Sequence, residues 1–365
     1  MHTQILRTAD ELAAVRDEWH VLSATTQSPL LDHDWWWCCA RALHPTNSLR
    51  IVMVRDGDRL VAAAPLVAVD RLGFRRLEFI GMHTLNEPSG LLYSSEAALE
   101  ALLRALVSLG VPFALARLEA RSLTSRLLSS LVAAPGLVIV RTSASSLSVP
   151  LRGNWSEFEQ LLSHRARVSL PRLHRRAGRL GPVRSETLSP SLDEVEGLLQ
   201  VVMQVEASGW KGRNGSAISL RPDLREFFSE YAKLAAAGGR LRISLLWFGA
   251  RIAAVQLAVV AHRKWWQLKI AYDEAVGEHS PGLQLTHAVI QRAFDEDLAA
   301  FEFLGSAEPW EELWNPVERE YELAAVYPPT VTSACALAAD VAQTAARRGL
   351  AIGGSLVKRA KVWRS

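Results

Sequence analysis

A chain of 365 residues that is 49% hydrophobic and 22% charged, with a net charge of +3, has the make-up of a soluble globular protein long enough for two ordinary domains. The small net charge gives no basis for a protein that coats polyanions as a whole, and no run approaches the ~20 apolar residues that a membrane-spanning helix needs. The three cysteines, Cys38, Cys39 and Cys335, make neither a disulfide framework nor a metal-binding spacing. Together with an N-terminus that lacks a basic-then-apolar leader pattern, they lead us to expect a reduced, cytoplasmic setting.

In chain order, 4–6 reads as a short strand and Thr8 opens a helix with Asp10 and Glu11 in its first turn. Ser28-Pro29 leads into a helix over 30–43 that carries Trp35-Trp36-Trp37. Three adjacent indoles invite a ligand-stacking role, but packing against a sheet explains them more simply. Asp56-Gly57-Asp58 between the apolar runs 50–55 and 60–69 signals a hairpin, with Pro65 marking an edge or a bulge. Strands over 77–81, 91–93, 113–119 and 137–142 and helices over 96–109 and 125–133 complete an α/β unit. The stretch 143–148 (SASSLS) is the expected boundary.

The next unit opens with a helix over 155–162, capped by Asn154 or Ser156. After it comes HRARVSLPRLHRRAGRLGPVR, with Arg165, Arg167, Arg172, Arg175, Arg176, Arg179 and Arg184 and no acidic residue before Glu186. Such a run is either a solvated helix face or an anion-binding surface. Aromatic residues are not interleaved, which argues against sequence-independent RNA stacking. A helix over 193–207 turns Val195, Leu198, Leu199, Val202 and Val205 inward and brings Glu206 up to the glycine-rich SGWKGRNGS, from which Trp210, Lys211 and Arg213 project. A helix over 227–237 stops at Gly238-Gly239, and a strand over 241–248 follows.

Residues 251–305 are the most informative stretch. Two β-rich runs (252–261 and 265–272) are joined by His262-Arg263-Lys264, a loop covers 273–280, a helix begins at Pro281-Gly282, and an apolar strand over 301–304 ends at Gly305. Proline loses nothing at a first helical position, and Gly282 lets backbone approach a ligand closely. The first-turn amides from Gly282 to Leu285 carry the positive end of the helix, which suits a pyrophosphate. The plain alternative is an ordinary strand-to-helix connection with Ser280 as its N-cap. Farther on, Trp310, Leu313 and Trp314 have the spacing of a packed helical face, Tyr321–Tyr327 reads as a closing strand, and Pro328-Pro329 ends the domain. The Ala-rich tail, basic at Arg347, Arg348, Lys358, Arg359, Lys361 and Arg364, is either a docked C-terminal helix or a contact with a membrane surface or partner.

Tyr272-Asp273, Ser280-Pro281-Gly282-Leu283, the strand ending at Gly305, Glu206 with the segment 208–215, and the Arg-rich segment near 165–179 together resemble GNAT-fold acyltransferases. The resemblance is to the branch related to the cellulose-biosynthesis CelD proteins and the FemABX peptidyltransferases, and it covers most of residues 1–330. It implies a mixed α/β fold of two tandem GNAT-like domains: one at 1–148 with no Pro-Gly-led helix and hence no cofactor site, and one at 149–330, followed by a basic helical tail at 331–365. It further implies transfer of an acyl group, acetyl first among them, from acyl-CoA to an amine of a small molecule or of a polysaccharide or cell-envelope precursor, by direct attack. Tyr272, Ser280, Gly282, Leu283, Gln284 and Leu285 would meet the cofactor. The Arg-rich segment would meet the CoA 3′-phosphate, a phosphorylated or lipid-linked acceptor, or, in a FemABX-like aminoacyl-tRNA-dependent transferase, tRNA. One departure stands out: where many GNAT enzymes place a tyrosine general acid after the last core strand, this chain reads Ser306-Ala307-Glu308-Pro309-Trp310.

Acyl transfer from a thioester to an amine requires a neutral amine, a polarised carbonyl and a thiolate that leaves. A carboxylate in a partly desolvated pocket can act as the base. Glu206 and Asp273 are the candidates, although Asp273 equally suits a turn cap, and a strand-end N–H near Tyr272 is placed to polarise the carbonyl. Trp210, Lys211, Gln256 and Lys269 are candidate acceptor-binding residues. No nucleophile elbow, phosphate-binding P-loop, dinucleotide fingerprint or metal-spaced His/Cys pair is present, so no metal is expected. A non-catalytic binding protein of the same fold is the alternative from another class.

Overall fold

The computed structural model describes residues 1–44, 48–132, 134–209, 215 and 217–362, with side chains described as far as residue 346. Trp210 and Lys211 fall outside the described residues. Among those described, the strands form three sheets. In the first, β1 (His2–Leu6), β2 (Ile51–Asp56), β3 (Arg59–Ala64) and β6 (Leu92–Tyr93) lie side by side and antiparallel. The second has β4 (Leu66–Arg71), β5 (Phe74–Phe79), β7 (Phe113–Glu119), β16 (Tyr321–Tyr327) and β8 (Leu137–Thr142), in that order. The third, of seven strands, runs β10 (Val183–Leu188), β11 (Leu241–Phe248), β12 (Arg251–Ala261), β13 (Lys264–Tyr272), β14 (Ala300–Glu302), β9 (Ser146–Pro150), β15 (Val317–Arg319).

Pro65 does more than mark an edge. It cuts the expected run 60–69 into β3 and β4, and the chain passes there from the first sheet to the second. Proline has no N–H to give a ladder, so a change of sheet costs little at that residue. Leu72 and Gly73, both at positive φ, turn β4 back into β5. The helix Glu96–Ser108 then carries the chain over to β7, which pairs with β5 in parallel. The same order recurs later: the β12–β13 hairpin, the helix Pro281–Asp295, and β14 parallel to β13.

The two units exchange strands. β9 spans the expected boundary at 148 and lies in the seven-stranded sheet. The strand over 321–327 forms as expected but closes the N-terminal sheet, between β7 and β8, and not the unit before it. β10, for which no strand was expected, pairs along β11 at the sheet's edge. The tryptophan run behaves as core. Trp35 and Trp36 are buried on the helix His33–Leu43, and Trp35 meets Phe227 and Tyr231 of the helix Pro222–Ala237 at ring distances of 5.1 Å. Arg240 adds salt bridges at 3.1 Å to both Asp32 and Asp34. No helix among the described residues is long and apolar enough to cross a membrane.

A second link between the units is made of buried charge. At the end of β14 the chain turns through Leu304 and Gly305, both at positive φ. The Gly305 N–H donates to Glu87 Oε2 at 2.9 Å, and its carbonyl accepts from Arg117, which also donates to the Ala144 carbonyl. Arg117 is itself held at φ 58° and lies over the Tyr321 ring at 4.6 Å. Burial raises the Glu87 pKa, against the pull of Lys269, the Gly305 N–H and Arg117. A buried donor left without an acceptor costs about 1–3 kcal/mol. We therefore expect Glu87→Leu to lower the unfolding free energy by about that amount in urea titrations, and Glu87→Gln, which still offers an acceptor, to lose much less. Equal losses for the two would refute a role for this hydrogen bond.

Candidate active site

The site is created by a parting of strands. β14 pairs with β13 only over Lys264–Trp266, and beyond Trp266 the β13 edge has no second strand partner among the described residues. Leu268 is an extra residue in the ladder to β12, because Leu257 pairs with Lys269 and Ala258 with Gln267. Such a bulge reverses which face later side chains take. Trp266 and Leu268 join the core cluster that contains Phe228, and Lys269 lies over the Phe228 ring at 5.3 Å. Ile270 and Tyr272 instead reach the start of the Pro281–Asp295 helix. A Cβ placed on Gly282 would lie 3.6 Å from Tyr272 and 4.0 Å from Ile270.

That helix begins without a side-chain cap. Ser280 occupies its N-cap position in the left-handed region, φ 51° and ψ 56°, and its hydroxyl caps nothing. Gln284 N–H donates to the Ser280 carbonyl at 3.2 Å. Pro281 has no N–H, so the amides of Gly282 and Leu283 are left at the positive end of the helix. The comparable helix of the N-terminal unit is built differently: Ser95 accepts from Ala98 N–H and fills its terminus.

Between these parts lies a cavity of about 320 Å³. Ile270, Tyr272, Ser280, Gly282 and Leu283 line it together with Glu206, Gly209, Glu274 and Trp310. Glu206 is buried and accepts from Ile218 N–H at 2.9 Å, which anchors the chain after the glycine-rich segment. Of the residues expected at a cofactor, Tyr272, Ser280, Gly282 and Leu283 come together here. Leu285 belongs to the core beneath the helix, and the buried Gln284 turns its amide to the His279 carbonyl at 2.9 Å.

Other expectations need correcting. Asp273 is absent from the cavity wall. It caps the turn Glu274–His279 through Ala275 N–H at 2.9 Å and pairs with Arg251 at 3.3 Å, as short aspartates at turn starts do. Gln256 is fully buried inside the sheet, bonded to Gln267 at 2.8 Å and to the Trp265 indole at 2.9 Å, so it cannot meet an acceptor. Lys269 points to the opposite face of β13 because of the Leu268 bulge. Sequence reasoning missed Glu274, next to Asp273 but on the cavity side. His20, His33 and Asp34 bring three donor atoms within 4.8 Å of one another. Arg16 and Arg240 already hold Asp34 at 3.1 Å each, and two guanidiniums on the carboxylate oppose a cation there.

A further carboxyl was missed just where the tyrosine general acid is lacking. Glu311, beside the cavity-lining Trp310, is buried and accepts from Glu308 N–H at 3.1 Å. Burial pushes its pKa up from 4.5 to about 7, with the charge of Glu308 adding to the rise. A folded-state pKa above the unfolded one gives stability that is present at low pH and is lost as pH rises through the interval between them. Thermal melts of the protein should therefore show stability falling from about pH 4.5 to 7 relative to Glu311→Gln; parallel profiles would contradict a buried, protonated Glu311.

Comparison with known proteins agrees with this architecture. Residues 164–312 match the family model for the acetyltransferase (GNAT) domain. FemX superposes with a TM-score of 0.57 at 12% identity, over 89% of this chain and 97% of its own. The C-terminal domain of a candidate lysylphosphatidylglycerol synthetase from Agrobacterium fabrum gives 0.56 at 10% identity, over 90% and 96% of the two chains. A Bacteroides thetaiotaomicron protein of unknown function gives 0.55 at 10% identity, over 89% and 99%. At these identities the likeness is one of fold. No curated protein matches the sequence. Residues 164–312 thus carry a GNAT acetyltransferase domain on a mixed α/β fold, and the chain is an acyltransferase.

Proposed function

We propose that the protein transfers an acyl group, acetyl in the first instance, from acyl-CoA to a primary amine of a small molecule or of a glycan or cell-envelope precursor. The observation that carries this reading is the cavity at the parting of β13 and β14, with an uncapped helix N-terminus on its wall. The amides of Gly282 and Leu283 suit the pyrophosphate of the donor. The unpartnered edge of β13 beyond Trp266 offers backbone groups to the amides of the pantetheine arm, as a sheet edge does to an added strand. The cofactor site belongs to the second unit alone, since Ser95 closes the corresponding helix of the first.

In this reading Glu206 is the base. It takes a proton from the acceptor ammonium, the neutral nitrogen attacks the thioester carbonyl, and a β13 backbone N–H stabilises the oxyanion. The C–S bond then breaks, the new amide forms, and the CoA thiolate leaves with the proton that balances the reaction. Glu274, also in the cavity lining, supplies a carboxylate that draws a cationic acceptor in. An aminoacyl-tRNA donor of the FemABX kind is the rival reading; the arginine-rich helix at the cavity's edge is what favours it.

Calorimetry with acetyl-CoA separates the two. We expect micromolar binding by the wild type and by Gly282→Ala, because a Cβ at residue 282 meets only ordinary contacts, and none by Gly282→Trp, whose indole would fill the cavity. Absence of binding to acetyl-CoA, longer acyl-CoAs and free CoA would overturn the proposal. Once an acceptor is found, Glu206→Gln should keep the bond to Ile218 N–H yet lose about 10²–10⁴-fold in kcat, an outcome that a purely structural glutamate would not give.

A further inference from the structure

β10 (Val183–Leu188) ends the seven-stranded sheet, and no strand among the described residues pairs with its outer edge. The sheet's other end is β15, a strand of only three residues, and shortness of that kind protects an edge from further pairing. β10 has no such protection. It runs for six residues in unbroken register with β11, without a bulge and without a proline inside it, and Arg184, Ser185 and Glu186 at its centre are exposed.

One hydrogen bond shows which way the backbone groups of β10 point. Gly249 N–H donates to the Pro182 carbonyl at 2.9 Å. In an antiparallel ladder such bonds recur at every second residue, so Arg184, Glu186 and Leu188 direct theirs to β11. The N–H and C=O groups of Val183, Ser185 and Thr187 therefore point out of the sheet. Side chains alternate between the faces in step with this. Thr187 reaches the Ser244 hydroxyl at 2.8 Å and Val183 packs on the core beneath the helix Pro281–Asp295. Arg184 lies on the other face, over the Trp247 ring at 4.1 Å. Glu186 shares that face, and neither residue has an ion-pair partner among the described residues.

We propose that β10 pairs with β10 of a second copy of this chain, antiparallel about a twofold axis at Ser185, so that two seven-stranded sheets join into one. In that register Ser185 faces Ser185 and Val183 faces Thr187. All of these residues have outward backbone groups, so each pair exchanges two hydrogen bonds. Arg184 of each copy then stands opposite Glu186 of the other, at the non-hydrogen-bonded positions where side chains come closest. One charge of each sign makes the edge complementary to itself, as a twofold interface requires. The charges also fix the register, because an axis at Arg184 or at Glu186 would set like charges face to face. On the helix side, grooves of about 620 and 330 Å³ both reach Ser185, and the added strand's Thr187 and Val183 side chains project into that space. The proposal is independent of the acyl-CoA reading.

Analytical ultracentrifugation of the full chain across the micromolar range tests it. The wild type should sediment at twice the mass of the chain and dissociate on dilution, more readily as salt rises. Arg184→Glu and Glu186→Arg should each dimerise at least about tenfold more weakly, because each alone sets like charges opposite one another. An equimolar mixture of the two variants should recover dimers, an outcome that damaged folding would not give. Ser185→Pro should also be monomeric with its far-UV circular dichroism unchanged, since it removes only an outward N–H and leaves the bonds to β11 in place. A wild type that stays monomeric throughout would overturn the proposal. So would a dimer whose affinity neither the charge reversals nor Ser185→Pro changes, or a mixture of the two reversed variants that stays monomeric.

Discussion

β13 and β14 cannot stay together. Three residue pairs hold them side by side, and then β14 turns away through two left-handed residues while β13 continues for six more, from Gln267 to Tyr272. A strand edge without a partner must find one elsewhere or face water, and here it faces a cavity. The Leu268 bulge decides what that edge presents: after it, Ile270 and Tyr272 face the helix start while Lys269 turns to the other side. The helix Pro281–Asp295 contributes the complementary half, an N-terminus that neither Ser280 nor Pro281 satisfies. Unfilled backbone hydrogen-bonding capacity therefore converges on one place from two elements.

The parting is maintained from outside the domain that uses it. Glu87 and Arg117 come from the N-terminal unit, and between them they hold the N–H and the carbonyl of Gly305 where β14 departs. Buried charges and left-handed backbone are expensive and persist only where surrounding structure enforces them. Here the enforcement is two-sided, because β16 returns to the N-terminal sheet and β9 is lent to the C-terminal one. An N-terminal unit whose own helix terminus is closed by Ser95 still has a task in this arrangement: it fixes one rim of its neighbour's cleft.

What could be read in the sequence was what local chemistry dictates. The Asp-Gly hairpin, the Pro-Gly helix start and the order hairpin, loop, helix, strand over 251–305 depend on residues close to one another in the chain, and all of them form. Glu206, Tyr272 and Gly282 line one cavity, because a helix running into a glycine-rich segment and a strand running into a loop both end at the same rim. Failures have a common cause in long-range geometry. Lys269 is turned away by one inserted residue in β13, and Gln256 is taken up by Gln267 and the Trp265 indole inside the sheet. Asp273 and Glu274 differ by a single position, and only the three-dimensional turn shows which carboxylate faces the cavity. Glu87 and Gly305 are 218 residues apart, and no periodicity announces their bond.

In the proposed function the free edge of β13 and the first turn of the Pro281–Asp295 helix receive the acyl donor. Amide hydrogen exchange, resolved by NMR with and without acetyl-CoA, tests it most directly. Slower exchange confined to the backbone of residues 268–272 and to Gly282 and Leu283 is the predicted result. Protection elsewhere on the chain, with those amides exchanging as fast as before, would contradict it.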